Sequence, residues 1–100
     1  VFVTRKVLIR KIRIFGKSSN VLRLDAVDEE NRYTGFVWFT DEGKAKSVID
    51  RELGKGAFLN LLSGRGGRDN KRLNIVFNAS VHEYRGETDL QFVIKDIKGA

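Results

Sequence analysis

The chain contains no cysteine, proline or methionine and only one histidine among its 100 residues. Without cysteine there is neither a disulfide nor a thiolate metal site, which fits the cytosol and predicts a cytoplasmic protein. No apolar run approaches the length of a membrane span, and the N-terminus lacks the charged and apolar regions of a signal peptide. The missing methionine, including at position 1, predicts that residues 1–100 form a single domain excised from a longer chain.

Positive charge exceeds negative charge, with 19 lysine and arginine residues against 13 acids and a formal net charge of +6. The basic residues are clustered in two places. Residues 1–20 carry six of them and no acid, and residues 65–72 carry four, interrupted only by Asp69. Such clustering indicates a polyanionic partner, and the alternative is a basic surface that is merely solvated.

Alternation of apolar and polar residues predicts five strands, and no proline interrupts any of them. The strands cover residues 4–15, 22–26, 33–40, 73–81 and 90–95. In the first strand the apolar residues change parity between Ile9 and Ile12, which predicts a β-bulge near Arg10 and Lys11. Arg85–Gly86 is the predicted turn of the last hairpin, because glycine accepts a positive φ. The strand parities predict a core that contains Ile75, Phe77, Leu90, Phe92 and Ile94.

Between strands three and four the sequence predicts a helix over 41–53, capped by Thr40 or Asp41. Its apolar stripe consists of Ala45, Val48, Ile49 and Leu53. Residues 57–62 are predicted to be either a helical turn or a strand, and residues 63–70 a flexible loop. The order of three strands, a helix and two strands is that of an OB-fold. We therefore predict a mostly β fold, a five-stranded OB-fold-like barrel with one helix between strands 3 and 4.

The final hairpin, residues 78–97, has a Glu-aromatic-x-Gly turn at 83–86 and a leucine-glutamine strand that ends in Asp-Ile. In these features it resembles the last hairpin of the OB-like domain in RecJ-type exonucleases of the DHH phosphoesterase superfamily. The apolar third strand at 37–39 is similar to that of the family, as is Gly16 ahead of the strand at 21–24. The resemblance covers nearly the whole chain.

The resemblance implies an accessory domain that holds single-stranded DNA near the nuclease site of a RecJ-like 5′-to-3′ exonuclease in DNA repair and recombination. It implies that the catalytic domains of the parent chain are partners of this domain and hold the Mn or Mg ions of the reaction. This chain has one histidine and no Asp-His-His motif, so we predict no catalytic residue, metal site or cofactor within it. The acids at 25–30 are interpreted as a solvated hairpin tip in preference to a metal site.

Candidate DNA contacts follow from strand parity. If Val37 and Phe39 fill the barrel, Phe36 and Trp38 lie outside, on the strand 2–3 face that OB-folds use for oligonucleotides. The alternative is that Trp38 packs under the helix or against a neighbouring domain. Arg23 is the expected phosphate contact on strand two. The predicted nucleic-acid-binding residues are Arg10, Arg13, Arg23, Phe36, Trp38, Arg65, Arg68, Tyr84 and Arg85.

Three alternatives stay open at this point. The Arg-Gly-Gly-Arg segment at 65–68 is either a mobile cationic loop that reaches for a nucleic-acid backbone or a surface insertion without function. The domain as a whole is alternatively a structural or protein-docking β-barrel that does not bind nucleic acid directly. A third possibility is an OB module from a polymerase or a tRNA-binding protein.

Overall fold

The strands and helices follow the predicted order. The structure, a computed structural model, describes residues 1–16, 20–64 and 71–100, with the side chains of residues 82 and 84 excepted. Within these residues the chain forms five strands and two helices. They are β1 (Phe2–Phe15), β2 (Val21–Val27), β3 (Tyr33–Phe39), α1 (Glu42–Leu53), α2 (Ala57–Leu62), β4 (Leu73–Tyr84) and β5 (Glu87–Gly99).

The five strands form one closed sheet in the order β1-β2-β3-β5-β4. Neighbouring strands are antiparallel except β3 and β5, which are parallel and paired at Val37 and Val93. This arrangement confirms the predicted OB-like fold. The side chains that point into the closed sheet form the core, which the two helices extend through Ala45, Ile49 and Phe58.

β1 is long and bent because it serves both halves of the sheet. Its first part pairs with β4 and its second part with β2. The predicted bulge is confirmed, since the β1–β2 register shifts between Ile9 and Lys11. A second irregularity lies between Thr4 and Val7, where Lys6 has a φ of 54°. Between the two irregularities, three consecutive residues are buried, Val7, Leu8 and Ile9.

Side chains from the β4 side hold the Lys6 backbone in this unusual conformation. The Lys6 N–H donates to Oδ1 of Asn74 at 3.1 Å, and the Lys6 carbonyl accepts from Nη1 of Arg72 at 2.7 Å. We call these two contacts the Lys6 clasp. Arg72 belongs to the second basic cluster of the sequence, so part of that charge has a structural role.

The predicted helix is confirmed as α1, and Asp41 is its cap. Oδ1 of Asp41 accepts from the Lys44 N–H at 2.7 Å, as expected of an N-cap. The segment at 57–62 is helical, and it is held to α1 by the Phe58 N–H, which donates to Oδ1 of Asp50 at 2.9 Å. In the part of the chain that the structure describes, neither helix is long and apolar enough to cross a membrane.

The β4–β5 hairpin turns at Arg85 and Gly86, both with positive φ, of 51° and 80°. Ile75 and Ile94 are buried as predicted, and Phe77 and Phe92 are half-buried against the core. The prediction for Leu90 is wrong, since its side chain is 61% exposed. Leu90 pairs with Val81 in the outer part of the hairpin. This part extends beyond Phe77, the residue at which the pairing of β4 with β1 ends.

Sequence reasoning also missed one core residue of β5. The β4–β5 register shifts between Val76 and Phe77, which leaves Lys95 as an extra residue on β5. Such a bulge resets the alternation of side chains. Ile97 therefore points into the core together with Ile94 and is fully buried.

Candidate nucleic-acid interface

The solvent-facing side of β1, β2 and β3 is a surface of alternating cationic, apolar and aromatic side chains. Because the side chains of a strand alternate between the two faces, every second residue belongs to it. We call it the outer face; its residues are Lys11, Arg13 and Phe15 of β1, Val21, Arg23 and Asp25 of β2, and Tyr33, Gly35, Val37 and Phe39 of β3.

Aromatic rings occupy both ends of β3 on the outer face. Phe39 is 59% exposed at one end and Tyr33 is 70% exposed at the other. Phe39 pairs with Val21, which pairs in turn with Phe15 on β1, another exposed ring. An exposed ring on a rigid strand offers a flat surface on which a nucleobase can stack.

Cationic groups lie in the middle of the outer face. Arg13 and Arg23 are directly opposite each other on β1 and β2, and both are exposed. Nη2 of Arg13 lies 3.6 Å from Oδ2 of Asp25, an ion pair that is too exposed to contribute much stability. The Arg13 side chain remains 51% exposed.

Arg23 reaches diagonally across the sheet toward Gly35. A Cβ atom at position 35 would lie 3.1 Å from Nη2 of Arg23, 3.5 Å from Nε and 3.6 Å from Cζ. The guanidinium thus lies against the glycine backbone, where any larger residue would crowd it. Among the described residues, no carboxylate lies within ion-pairing distance of Arg23.

A groove of about 210 Å³ opens beside Arg23, between β3 and the outer part of β5. It lies where the two parallel strands diverge ahead of their pairing at Val37 and Val93. Its lining residues are Arg23, Gly35, Val37, Asp89, Leu90, Gln91 and Phe92. The ring of Phe92 is held from behind by Phe77, with ring centroids 5.1 Å apart and an edge-on geometry.

The structure corrects the predicted orientation of β3. Phe36 and Trp38 do not lie outside; they are 1% and 8% exposed and belong to the core. The β2–β3 register pairs Phe36 with Leu24 and Trp38 with Leu22. Directly opposite residues share a face, so the buried leucines of β2 bring these aromatics inside with them. Neither ring is accessible for stacking with a base.

The other predicted contacts are distributed over several places. Arg13 and Arg23 lie on the outer face, whereas Arg10 is the half-buried extra residue of the β1 bulge. Arg85 is exposed in the β4–β5 turn. Arg65 and Arg68 lie outside the described residues, and the Tyr84 side chain lies outside the described side chains.

The aromatic residues that the outer face does present are absent from the predicted contacts, because the assumed strand parity placed Phe39 inside the barrel. Phe15, Tyr33 and Phe39 are exposed at the ends of the face, and Lys11 lies opposite Asp25 between them. The signal that identifies Tyr33 and Phe39 is the hairpin register. The tip at 28–32 places Val27 opposite Tyr33, and counting back from that pair sets Leu24 opposite Phe36.

The acidic tip between β2 and β3 is held together by Asp28. Its Oδ1 accepts from the N–H groups of Glu30 and Arg32 at 2.8 and 2.9 Å, and its Oδ2 accepts from Nε of Arg32 at 3.1 Å. The backbone hydrogen bond from Arg32 is the main cause that lowers the pKa of the Asp28 carboxyl below its usual value. In the described part of the chain, no three His, Asp or Glu side chains cluster as metal ligands would.

A closed five-stranded sheet, a helix between β3 and β4 and an open face on β2 and β3 define an OB-fold domain. The chain belongs to the RecJ OB domain family, whose model matches residues 1–96. A solved structure of Rim1, a mitochondrial single-stranded DNA-binding protein from S. cerevisiae, is similar with a TM-score of 0.41 and 13% identity. That match covers 99% of this chain and 98% of the other chain. Among curated proteins, none matches the sequence.

Proposed function

We propose that this domain holds single-stranded DNA on its outer face as the accessory domain of a RecJ-like 5′-to-3′ exonuclease. The reaction belongs to the catalytic domains of the parent chain, which hold the Mn or Mg ions and are partners of this domain. The setting is DNA repair and recombination in the cytoplasm. Membership in the RecJ OB domain family supports the parent enzyme, and the chemistry of the outer face supports the ligand.

The observation that carries the proposal is that exposed aromatic and basic side chains lie together on the face that OB-folds use to bind oligonucleotides. Phe15, Phe39 and Tyr33 offer stacking surfaces at the ends of the face. Lys11 and Arg13 lie on the neighbouring strand, where they neutralise phosphates without reading sequence. Each stacked base contributes about 1–3 kcal/mol. With so few contacts, the isolated domain binds in the micromolar range or more weakly.

The electrostatic part of the proposal is tested by a salt series with a labelled oligo-dT strand of about 12 nucleotides, within the site size of one OB-fold. Three or four phosphate contacts give a slope of log K against log salt of about −2 to −3. Lys11→Gln makes the slope less negative by about 0.7. Lys55→Gln is the control, because it removes the same charge from the exposed turn between the helices. Equal slopes for the two variants would contradict the proposed path of the strand.

The stacking part of the proposal is tested by Phe39→Ala. The variant loses about 1–3 kcal/mol of binding free energy with little change in slope, because stacking releases few counterions. Leu59→Ala is its control, since Leu59 is a similarly exposed apolar residue on α2. Fluorescence anisotropy measures both. If removing Phe39 affects binding no more than removing Leu59, the outer face is not the stacking surface.

A second candidate function is docking against another folded domain. Val81 and Leu90 face each other across the outer part of the β4–β5 hairpin, and they are 67% and 61% exposed. An exposed apolar pair of this kind suits a protein contact. No binding of any strand at low salt would favour docking over DNA binding.

A further inference from the structure

We propose that the groove between β3 and β5 receives one nucleobase edge-on and favours guanine. The inference rests on the proposed function, because it adds a base-reading position to the same DNA path. A groove of about 210 Å³ is smaller than the roughly 300–1,000 Å³ of pockets for drug-sized ligands. Its size therefore suits a single base.

Three residues supply the apolar part of the groove lining, against which a base would pack. Val37 lines it from β3, and Leu90 and Phe92 line it from β5. Phe92 is fixed by edge-on contact with Phe77 and by Phe36, whose ring centroid lies 6.1 Å away. A ring already packed against two others offers the base a preformed apolar contact and loses little entropy on binding.

The polar side chains that line the groove belong to Arg23, Asp89 and Gln91, and the first two combine a donor with an acceptor. The guanidinium of Arg23 lies against Gly35 at the groove, and Asp89 contributes a carboxylate from β5. A phosphate in this position would face the carboxylate, and like charges repel, so the pair argues for a base edge. Lys11 and Arg13 lie on β1, outside the groove, where the nearby carboxylate of Asp25 is already paired with Arg13.

Guanine matches this pair better than the other bases do. It carries two adjacent donors, N1–H and the N2 amino group, which a single carboxylate accepts together. It also carries two adjacent acceptors, O6 and N7, to which arginine donates in the commonest base-specific contact. Thymine has only one N–H, and adenine and cytosine each have only an amino group as donor.

The test compares oligo-dT strands of about 12 nucleotides that carry one central dG, dA or dC. We expect the dG strand to bind about five- to tenfold more tightly than unsubstituted oligo-dT, the lower end for one bidentate contact. Inosine, which lacks the N2 amino group, is expected to lose most of that preference. 7-Deazaguanine, which lacks N7, is expected to lose the part due to Arg23.

Two variants assign the preference to the groove. Asp89→Asn should remove most of the preference for dG and Arg23→Gln the part due to Arg23, whereas Glu29→Gln, which changes an exposed acid at the hairpin tip, should keep it. If Asp89→Asn strengthens the binding of every strand equally, the carboxylate merely repels phosphates and the inference is wrong. It is also wrong if Arg23→Gln flattens the salt slope and leaves the preference for dG intact.

The remaining outcomes separate this inference from the proposed function. Equal, salt-sensitive binding of all four strands overturns the guanine groove and leaves single-strand binding in place. Absence of binding by every strand at low salt overturns both. Circular dichroism of each variant confirms that its sheet is folded before binding is compared.

Discussion

Phe36 and Phe39 belong to the same strand and lie on opposite faces of it, so alanine at the two positions is expected to change the stability of the domain by very different amounts. Phe36 is surrounded by core residues and contacts Phe77 edge-on at 5.2 Å. Phe36→Ala should lower the free energy of unfolding by about 3–5 kcal/mol, because it leaves a cavity. Phe39→Ala should change it by less than about 0.5 kcal/mol, as surface substitutions usually do. Urea denaturation measures both, and similar losses for the two variants would contradict the orientation of β3.

Gly35 matters because of the side chain that lies against it. Its backbone is not in the left-handed region, so alanine is compatible with the strand and should leave stability unchanged or raise it by about 0.5–1 kcal/mol. The new Cβ would lie 3.1 Å from Nη2 of Arg23, which must then move. We expect Gly35→Ala to remain fully folded and to weaken the preference for a dG-containing strand. A variant that keeps the full preference would mean that the position of the guanidinium is unimportant.

At the scale of elements, the β2–β3 hairpin depends on the charge of Asp28. Its pKa is lowered by hydrogen bonds that only the folded tip supplies, foremost the Arg32 N–H. A group whose folded pKa is depressed stabilises the fold above its unfolded pKa of about 3.9, and this contribution is lost as the pH falls through the folded pKa. The tip should therefore loosen only below about pH 4. NMR titration should show the Asp28 carboxyl and the amides of Glu30 and Arg32 changing together.

The reference for that titration is a peptide that spans the tip without the sheet. In the peptide, Asp28 should titrate at a higher pH than in the domain, because the backbone donors of Glu30 and Arg32 are no longer held in place. Asp28→Asn should remove the shared transition of the two amides. A midpoint in the domain equal to that of the peptide would show that the hydrogen bonds do not persist in solution.

The turn of the β4–β5 hairpin requires an unusual backbone at two consecutive residues. Gly86 has a φ of 80°, and a Cβ there would meet no atom within 4 Å. Gly86→Ala should therefore cost about 1–2 kcal/mol through backbone conformation alone. Glu87→Ala, the next exposed position, should cost much less. Thermal unfolding compares them, and an unchanged melting temperature for Gly86→Ala would contradict a turn with two positive φ angles.

The strands and helices could be predicted from the sequence where their two faces differ in polarity. In β2, leucines alternate with Arg23 and Asp25, so the buried face is unambiguous. In β3 this contrast is missing, because Phe36, Val37, Trp38 and Phe39 are all apolar. The pattern of apolar and polar residues cannot show which face of such a strand is buried. Only its register with β2, which the tip fixes, determines which aromatics are inside.

At the scale of the whole molecule, the β3–β5 junction is the weakest part of the closed sheet. It is paired at Val37 and Val93, whereas β1 and β2 are paired from Leu8 to Phe15. Amides at the junction should exchange with solvent through openings of lower free energy than amides in the β1–β2 ladder. Native-state hydrogen exchange followed by NMR measures this order. Equal protection at both places would mean that the sheet opens only by global unfolding.

The site could not be predicted as fully as the fold. The OB order of elements and the cationic residues Arg13 and Arg23 follow from sequence patterns. The groove does not, because it joins Arg23 and Gly35 to Asp89 and Phe92, which are distant in the chain. Only closure of the sheet brings these residues together, and no local pattern carries that information.

The single pairing between β3 and β5 also affects how the chain folds. The hairpins β2–β3 and β4–β5 join strands that are neighbours in the sequence, so they can form early. Pairing of Val37 with Val93 closes a long intervening segment, and ordering that segment costs entropy. The junction should thus form only after the transition state. Weakening it accelerates unfolding and leaves the folding rate unchanged. The β3–β5 junction, beside which the groove opens, therefore determines the unfolding rate and with it the lifetime of the folded domain.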